Sequence, residues 1–180
     1  MKNKVLPQLK IISFVLFIFV CIWIYFFKCN LNRDLYFFFA KSQINWNPFS
    51  EIIQSDGSFS WGNFALIILN IVGFVFFGYL AAGIFEKHYF VFGILLSLVL
   101  TLTIETLQYA FRFGGAALGD VIFNLLGGII GVVLYHFTNK KVKPIIQNIY
   151  YIVTIGVSVV CIVLGIIFTA MKWPEYIYFC

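Results

Sequence analysis

Five apolar runs, 11–27, 64–85, 89–109, 117–137 and 149–171, take up most of the chain, and each is 17 to 23 residues long. A helix rises about 1.5 Å per residue and a bilayer's hydrocarbon core is about 30 Å thick, so runs of this length are membrane-spanning candidates. Composition agrees, with 62% hydrophobic residues, 11% charged residues and 23 Phe, well above the roughly 45–50% apolar usage of soluble domains. The expected fold class is all-α, a polytopic membrane helix bundle of about five transmembrane helices. Residues 1–180 form one membrane domain in this reading, with a motif-bearing core at 45–137 and an additional span at 149–171. The spans leave no loop long enough for a separate soluble domain.

The first run follows Lys2, Lys4 and Lys10, as a secretory signal would. No small-residue cleavage site follows it, and Trp23, Tyr25, Phe26 and Phe27 are bulky. An uncleaved first helix with aromatic anchors is expected. The connection 28–60 is long and should be organised. Pro48 fixes a turn in it, Trp46 and Phe49 suit the membrane interface, and the segment reads either as a lipid-surface connector or as a short surface helix begun by Ile52 with Ile53. Glu86-Lys87-His88 reads as a tight turn with a solvated histidine, and Trp173, Tyr176 and Tyr178 as an aromatic belt after the last span.

Five spans put the termini on opposite sides of the membrane. A cytoplasmic N-terminus gives the inner segments seven cations, Lys2, Lys4, Lys10, Lys87, Lys140, Lys141 and Lys143. The outer segments then hold five, Lys28, Arg33, Lys41, Arg112 and Lys172. The positive-inside rule therefore places the N-terminus in the cytoplasm and the C-terminus outside. The net charge of +5 suits orientation in a membrane, and no basic aromatic motif points to nucleic acid. Cys21, Cys29, Cys161 and Cys180 are far apart, and neither histidine has ligand-type neighbours at helical spacing. No disulfide, metal or cofactor is expected.

Against this apolar background, Glu105 to Gly131 gathers ionisable and amide groups. Glu105, Gln108 and Arg112 recur at i, i+3, i+7, and Asp120, Asn124, Gly127 and Gly131 at i, i+4, i+7, i+11. Each set lines one helix face, on either side of Gly114-Gly115. Asn70 adds a buried amide in the second span, where Gly73 and Gly78 are expected to permit close helix packing together with Gly127 and Gly131. Arg112 is the expected partner of Glu105 or Asp120. Two readings stay open: polar glue between helices, or a site, since ionisable groups at membrane depth are costly. No nucleophile and base pair stands out, so a catalytic role is the weaker of the functional readings.

Asn45, Pro48 and Phe49, then Asn70, Phe74 and Gly78, then Glu105, Gln108, Arg112, Asp120, Asn124, Gly127 and Gly131 together resemble the motif set of the VanZ-like family. The resemblance runs from the first span to the end of the fourth. Two positions depart from the family pattern: Phe76 stands where a proline is usual, and 116–119 carries no additional acid. The resemblance implies a multi-pass protein of the bacterial cytoplasmic membrane, linked in some relatives to reduced susceptibility to lipidated glycopeptides such as teicoplanin. The leading expectation is a non-catalytic protein whose outward-facing polar pocket binds a membrane lipid, a cell-wall precursor or a lipoglycopeptide. Its alternatives are a membrane-embedded enzyme acting on a lipid-linked envelope substrate, and a small transporter. The transporter lacks an internal repeat and a polar path continuing to the cytoplasmic side.

Overall fold

The computed structural model describes residues 7–28, 44–49, 52–53, 57–85, 87–110 and 116–177, with 23–28, 140 and 168–177 as helix backbone alone. Five helices follow in order: α1 Pro7–Lys28, α2 Trp61–Ile84, α3 Tyr89–Ala110, α4 Leu118–Lys141 and α5 Pro144–Ile177. Two short strands, β1 Ile44–Asn45 and β2 Ala116–Ala117, complete the description. Four segments are long and apolar enough to cross a membrane, Trp61–Ile84, Tyr89–Ala110, Leu118–Asn139 and Pro144–Ile167, and α1 is apolar over Pro7–Ile22. The fold is an all-α helical bundle.

Local chemistry moves several helix ends beyond the apolar runs. Ser60 caps α2, its side chain accepting the Asn63 N–H at 3.4 Å, so the helix begins three residues before the run. Pro144 opens α5 five residues before its run, a first-turn position where the missing N–H is no loss. His88 is exposed and takes a left-handed conformation (φ 32) in the turn between α2 and α3, a region in which histidine is over-represented. Ile52 and Ile53 do not begin a surface helix. Ile52 sits in a turn, its carbonyl accepting the Ser60 N–H at 2.8 Å, and Ile53 pairs with Phe59 in an isolated antiparallel bridge. Gly57, just before the returning Phe59 and Ser60, takes a positive φ of 80, which glycine adopts without strain. The aromatic anchors expected at 23–27 and at Trp173, Tyr176 and Tyr178 lie outside the described side chains.

The chain divides into two compact units, Met1–Tyr25 with Lys143–Cys180, and Phe26–Val142. In the first, α5 buries Gln147, Tyr151, Thr154 and Ser158, a stripe at i, i+4, i+7, i+11, while Ile152, Val153, Val160 and Leu164 are exposed. The second holds the polar residues singled out in the sequence. There α2 and α4 run parallel, as the contacts Gly127 to Ile71 and Gly131 to Val75 require, and α3 is antiparallel to both, as Gly128 to Ser97 and Val132 to Gly93 require. The outward sides of these helices are apolar and exposed, for example Leu69, Phe76, Val91 and Leu126. A lipid-solvated surface has this character. α2 is uninterrupted through Phe76.

Glycines set how closely α4 approaches its neighbours. A Cβ on Gly127 would lie 2.3 Å from the Ile71 carbonyl oxygen, one on Gly131 2.1 Å from that of Val75, and one on Gly78 2.2 Å from that of Gly128. Backbone meets backbone at all three positions. Gly73 does not share this packing role: a Cβ there meets nothing within 4 Å. It lies five residues before Gly78, which turns it by about 140° away from the α4 face.

Candidate functional site

The polar cluster forms where α2 begins, α3 ends and α4 begins. Glu105 lies five residues before the end of α3, about 7–8 Å along the axis, and is only 5% exposed. Its Oε2 accepts the backbone N–H of Ala117 at 2.8 Å, tying α3 to the residue that precedes α4. Asp120 stands in the first turn of α4, where a negative charge complements the helix dipole. The Asn70 amide on α2 donates to Asp120 Oδ1 at 3.1 Å, a contact across 50 residues of sequence. Asn124, fully buried one turn deeper, donates through Nδ2 to Thr101 Oγ1 on α3 at 3.0 Å. Buried amides and carboxylates in a bundle this apolar carry a desolvation cost that these bonds offset.

The face Asp120, Asn124, Gly127, Gly131 is therefore shared between two neighbours. Asp120, Gly127 and Gly131 meet α2, whereas Asn124 meets α3. A single helical stripe does this because α4 sits in the groove between α2 and α3. Gln108 is half-buried. Arg112 and Gly114-Gly115 lie outside the described residues, as does any pairing of Arg112 with Glu105 or Asp120.

The connection before α2 reaches the same place. β1 pairs in parallel with β2, Ile44 opposite Ala116 and Asn45 opposite Ala117. Asn45 Oδ1 accepts the Asn47 N–H, and Asn47 Oδ1 accepts the Phe49 N–H, both at 3.1 Å, so side chains hold the loop's own bend. Pro48 then rests its carbonyl on Gly119, where a Cβ would be 2.6 Å from that oxygen. The Phe49 ring packs edge-on against Phe123, centroids 6.3 Å apart. Asn45, Pro48 and Phe49 thus cover the start of α4 beside Asp120. Trp46 between them remains 71% exposed.

This seat gives a direct test. With the native cysteines replaced by serine, Ile44→Cys with Ala116→Cys should form a disulfide, since residues paired this way lie within bridging distance. Adding Gly119→Val should lower its yield about tenfold, the effect of overpacking by about 1–3 kcal/mol. Gel mobility under non-reducing conditions reads the result.

Several contributors were not singled out in the sequence: Ser97, Thr101, Ala117, Gly119, Phe123 and Gly128. A signal for some of them exists, because Gly93, Ser97, Thr101 and Glu105 recur every four residues on α3 and so face one neighbour. The Ser97 side chain is the one Gly128 accommodates. Polar groups consequently run deeper than expected, down to Ser97, whose hydroxyl donates to the Gly93 carbonyl at 2.9 Å. There the row closes: Val132, fully buried, packs its methyl against Gly93. Asn124→Ala should cost about 1–2 kcal/mol, the range of interhelical hydrogen bonds in membranes. Comparing reversible unfolding of this variant and of Asn124→Ala with Thr101→Val in the same detergent checks it, and the double variant should add little to the single.

An apolar bundle with four helices long and apolar enough to cross a membrane, and a polar cluster at one end of three of them, defines an α-helical membrane protein. Comparison with known proteins then makes the assignment specific. Residues 14–139 match the VanZ/LLP1 family model, and the chain belongs to that family. It is 32% identical over 128 residues to Protein VanZ of Enterococcus faecium, covering 71% of this chain and 74% of that protein. No solved structure matches the chain.

Proposed function

We propose that the protein acts in the bacterial cytoplasmic membrane by binding an amphiphilic envelope component at an outward-facing polar pocket built around Glu105, Asp120, Asn70 and Asn124. The ligand is an envelope lipid, a cell-wall precursor or a lipoglycopeptide, and the outcome is reduced susceptibility to teicoplanin-type antibiotics. One observation carries the reading: a buried carboxylate, Glu105, is held at the end of a helix pair by the Ala117 N–H, beside a loop seated on Gly119. Ionisable side chains at this depth mark sites by default. The lysine bias toward the opposite face supports the outward orientation. The Ala117 N–H donates to Glu105 and the Asn70 amide donates to Asp120, so each acid is held in place by a neutral donor; the reading is a binding role.

The ligand assignment is tested by photocrosslinking. A diazirine-bearing teicoplanin derivative and a diazirine-bearing cell-wall precursor are each presented to membranes containing the full-length protein. Label on 44–49 or on the start of α4, lost in Asp120→Asn, supports the pocket. Label confined to the exposed faces of α5 contradicts it.

A further inference from the structure

We propose that the opposite end of the α2–α3–α4 unit carries a second site, which binds the phosphate headgroup of an anionic membrane lipid through His136, Lys87 and Lys141. The site begins with a fixed imidazole. The Tyr89 hydroxyl is hydrogen-bonded to His136 Nδ1, and the two rings stack with centroids 6.1 Å apart and planes 25° from parallel. Tyr89 packs edge-on against Tyr135, as does Tyr79, each at 5.4 Å. Tyr135 is buried at 3% exposure, and the Tyr79 hydroxyl lies 3.0 Å from that of Thr138. His136 itself is exposed. Two half-buried tyrosines packed on the buried Tyr135 thus orient an exposed ring. In the tautomer in which the phenol donates to Nδ1, the ring proton sits on Nε2 and is available to a phosphate oxygen.

Two lysines lie close to this pair along the chain, Lys141 five residues after His136 and Lys87 two residues before Tyr89. Lys141 Nζ lies 6.0 Å from the Phe137 ring centroid, and the Phe137 ring packs edge-on against His136 at 5.5 Å. Lys87 is exposed in the turn two residues before Tyr89. Glu86 of the same turn lies outside the described residues. Among the described residues of Phe26–Val142, the carboxylates are Glu105 and Asp120, both at the other end of the helices.

Position selects the source of the phosphate. The site is built from the α2–α3 turn, the start of α3 and the end of α4, the termini of three spanning helices. Tyrosine rings and lysines at span ends lie at headgroup depth, where anionic lipids are concentrated. A lysine, an imidazole N–H and a second lysine offer the charge-assisted donors that a phosphate diester takes.

Native mass spectrometry of the purified full-length protein, with phosphatidylglycerol, phosphatidylcholine or inorganic phosphate added, tests the site. Phosphatidylglycerol should be retained preferentially. Lys87→Gln and Lys141→Gln should each lower its retention about fivefold, the worth of one basic residue at an anionic surface. Tyr89→Phe, which keeps the ring and removes the hydroxyl, should also lower it, while the charge-matched Lys10→Gln on α1 should leave it unchanged. Equal losses for Lys10→Gln and the two site lysines would reduce the effect to general charge attraction and overturn the proposal. Full displacement of the lipid by inorganic phosphate at equal concentration would overturn the lipid assignment.

Discussion

Gly131→Leu will separate α4 from α2, and even Gly131→Ala will destabilise the bundle by at least about 2–3 kcal/mol. The reason is geometric: a Cβ at Gly131 falls 2.1 Å from the Val75 carbonyl oxygen and 2.7 Å from the Tyr79 nitrogen, both backbone atoms of α2. A helix backbone has no rotamer with which to move aside. Gly73→Ala provides the opposite result on the same segment of the bundle, because its added methyl group meets open space. It should be neutral or stabilise by about 0.5–1 kcal/mol, the helix propensity gained over glycine. Reversible unfolding in one detergent, with both variants at equal concentration, reads the pair. Equal destabilisation by both would show that the α2–α4 contact is not where the glycines matter.

Glu105→Ala is expected to have the second large effect. Removing the carboxylate leaves the Ala117 N–H without its 2.8 Å acceptor in a site where Ala117 is 7% exposed, a loss of about 1–3 kcal/mol. The consequence spreads beyond stability. Ala117 is also the residue opposite Asn45 in the two-strand pairing, so the loop that covers Asp120 loses its anchor along with α3. Glu105→Gln separates the two roles, since its amide oxygen still accepts the N–H while the charge is gone. Stability should recover to within about 1 kcal/mol of the native protein. Hydrogen exchange at Ala117 should rise sharply in Glu105→Ala and little in Glu105→Gln.

The helices were legible because a chain in lipid must pair its backbone internally and runs of this length fit helices. Asn70, Glu105 and Asp120 stand out as polar groups among many Ile, Leu and Phe, which leaves helix contact and site equally open. The partners were harder to read. Helical periodicity says that Asp120, Asn124, Gly127 and Gly131 share a face, but not that α2 and α3 divide it between them. Gly73 and Gly78 look alike in sequence, and only their phase relative to α4 tells them apart. Ile52 and Ile53 resemble the start of an interfacial helix, whereas Phe59 and Ser60 pair back onto them, just after a positive φ at Gly57. The backbone acceptor role of Glu105 was invisible for a different reason. Its partner is an amide N–H that every residue possesses, so no side-chain pattern announces it.

The central claim, that the cluster around Glu105 and Asp120 is where the protein acts on the envelope, is tested most directly by antibiotic susceptibility. The native protein and Glu105→Gln with Asp120→Asn are expressed in a teicoplanin-susceptible Gram-positive host, and immunoblotting confirms equal amounts in the membrane. The native protein should raise the inhibitory concentration of teicoplanin, and the double variant should return it to that of the host carrying an empty vector. Full protection by the double variant at equal membrane abundance would contradict the account.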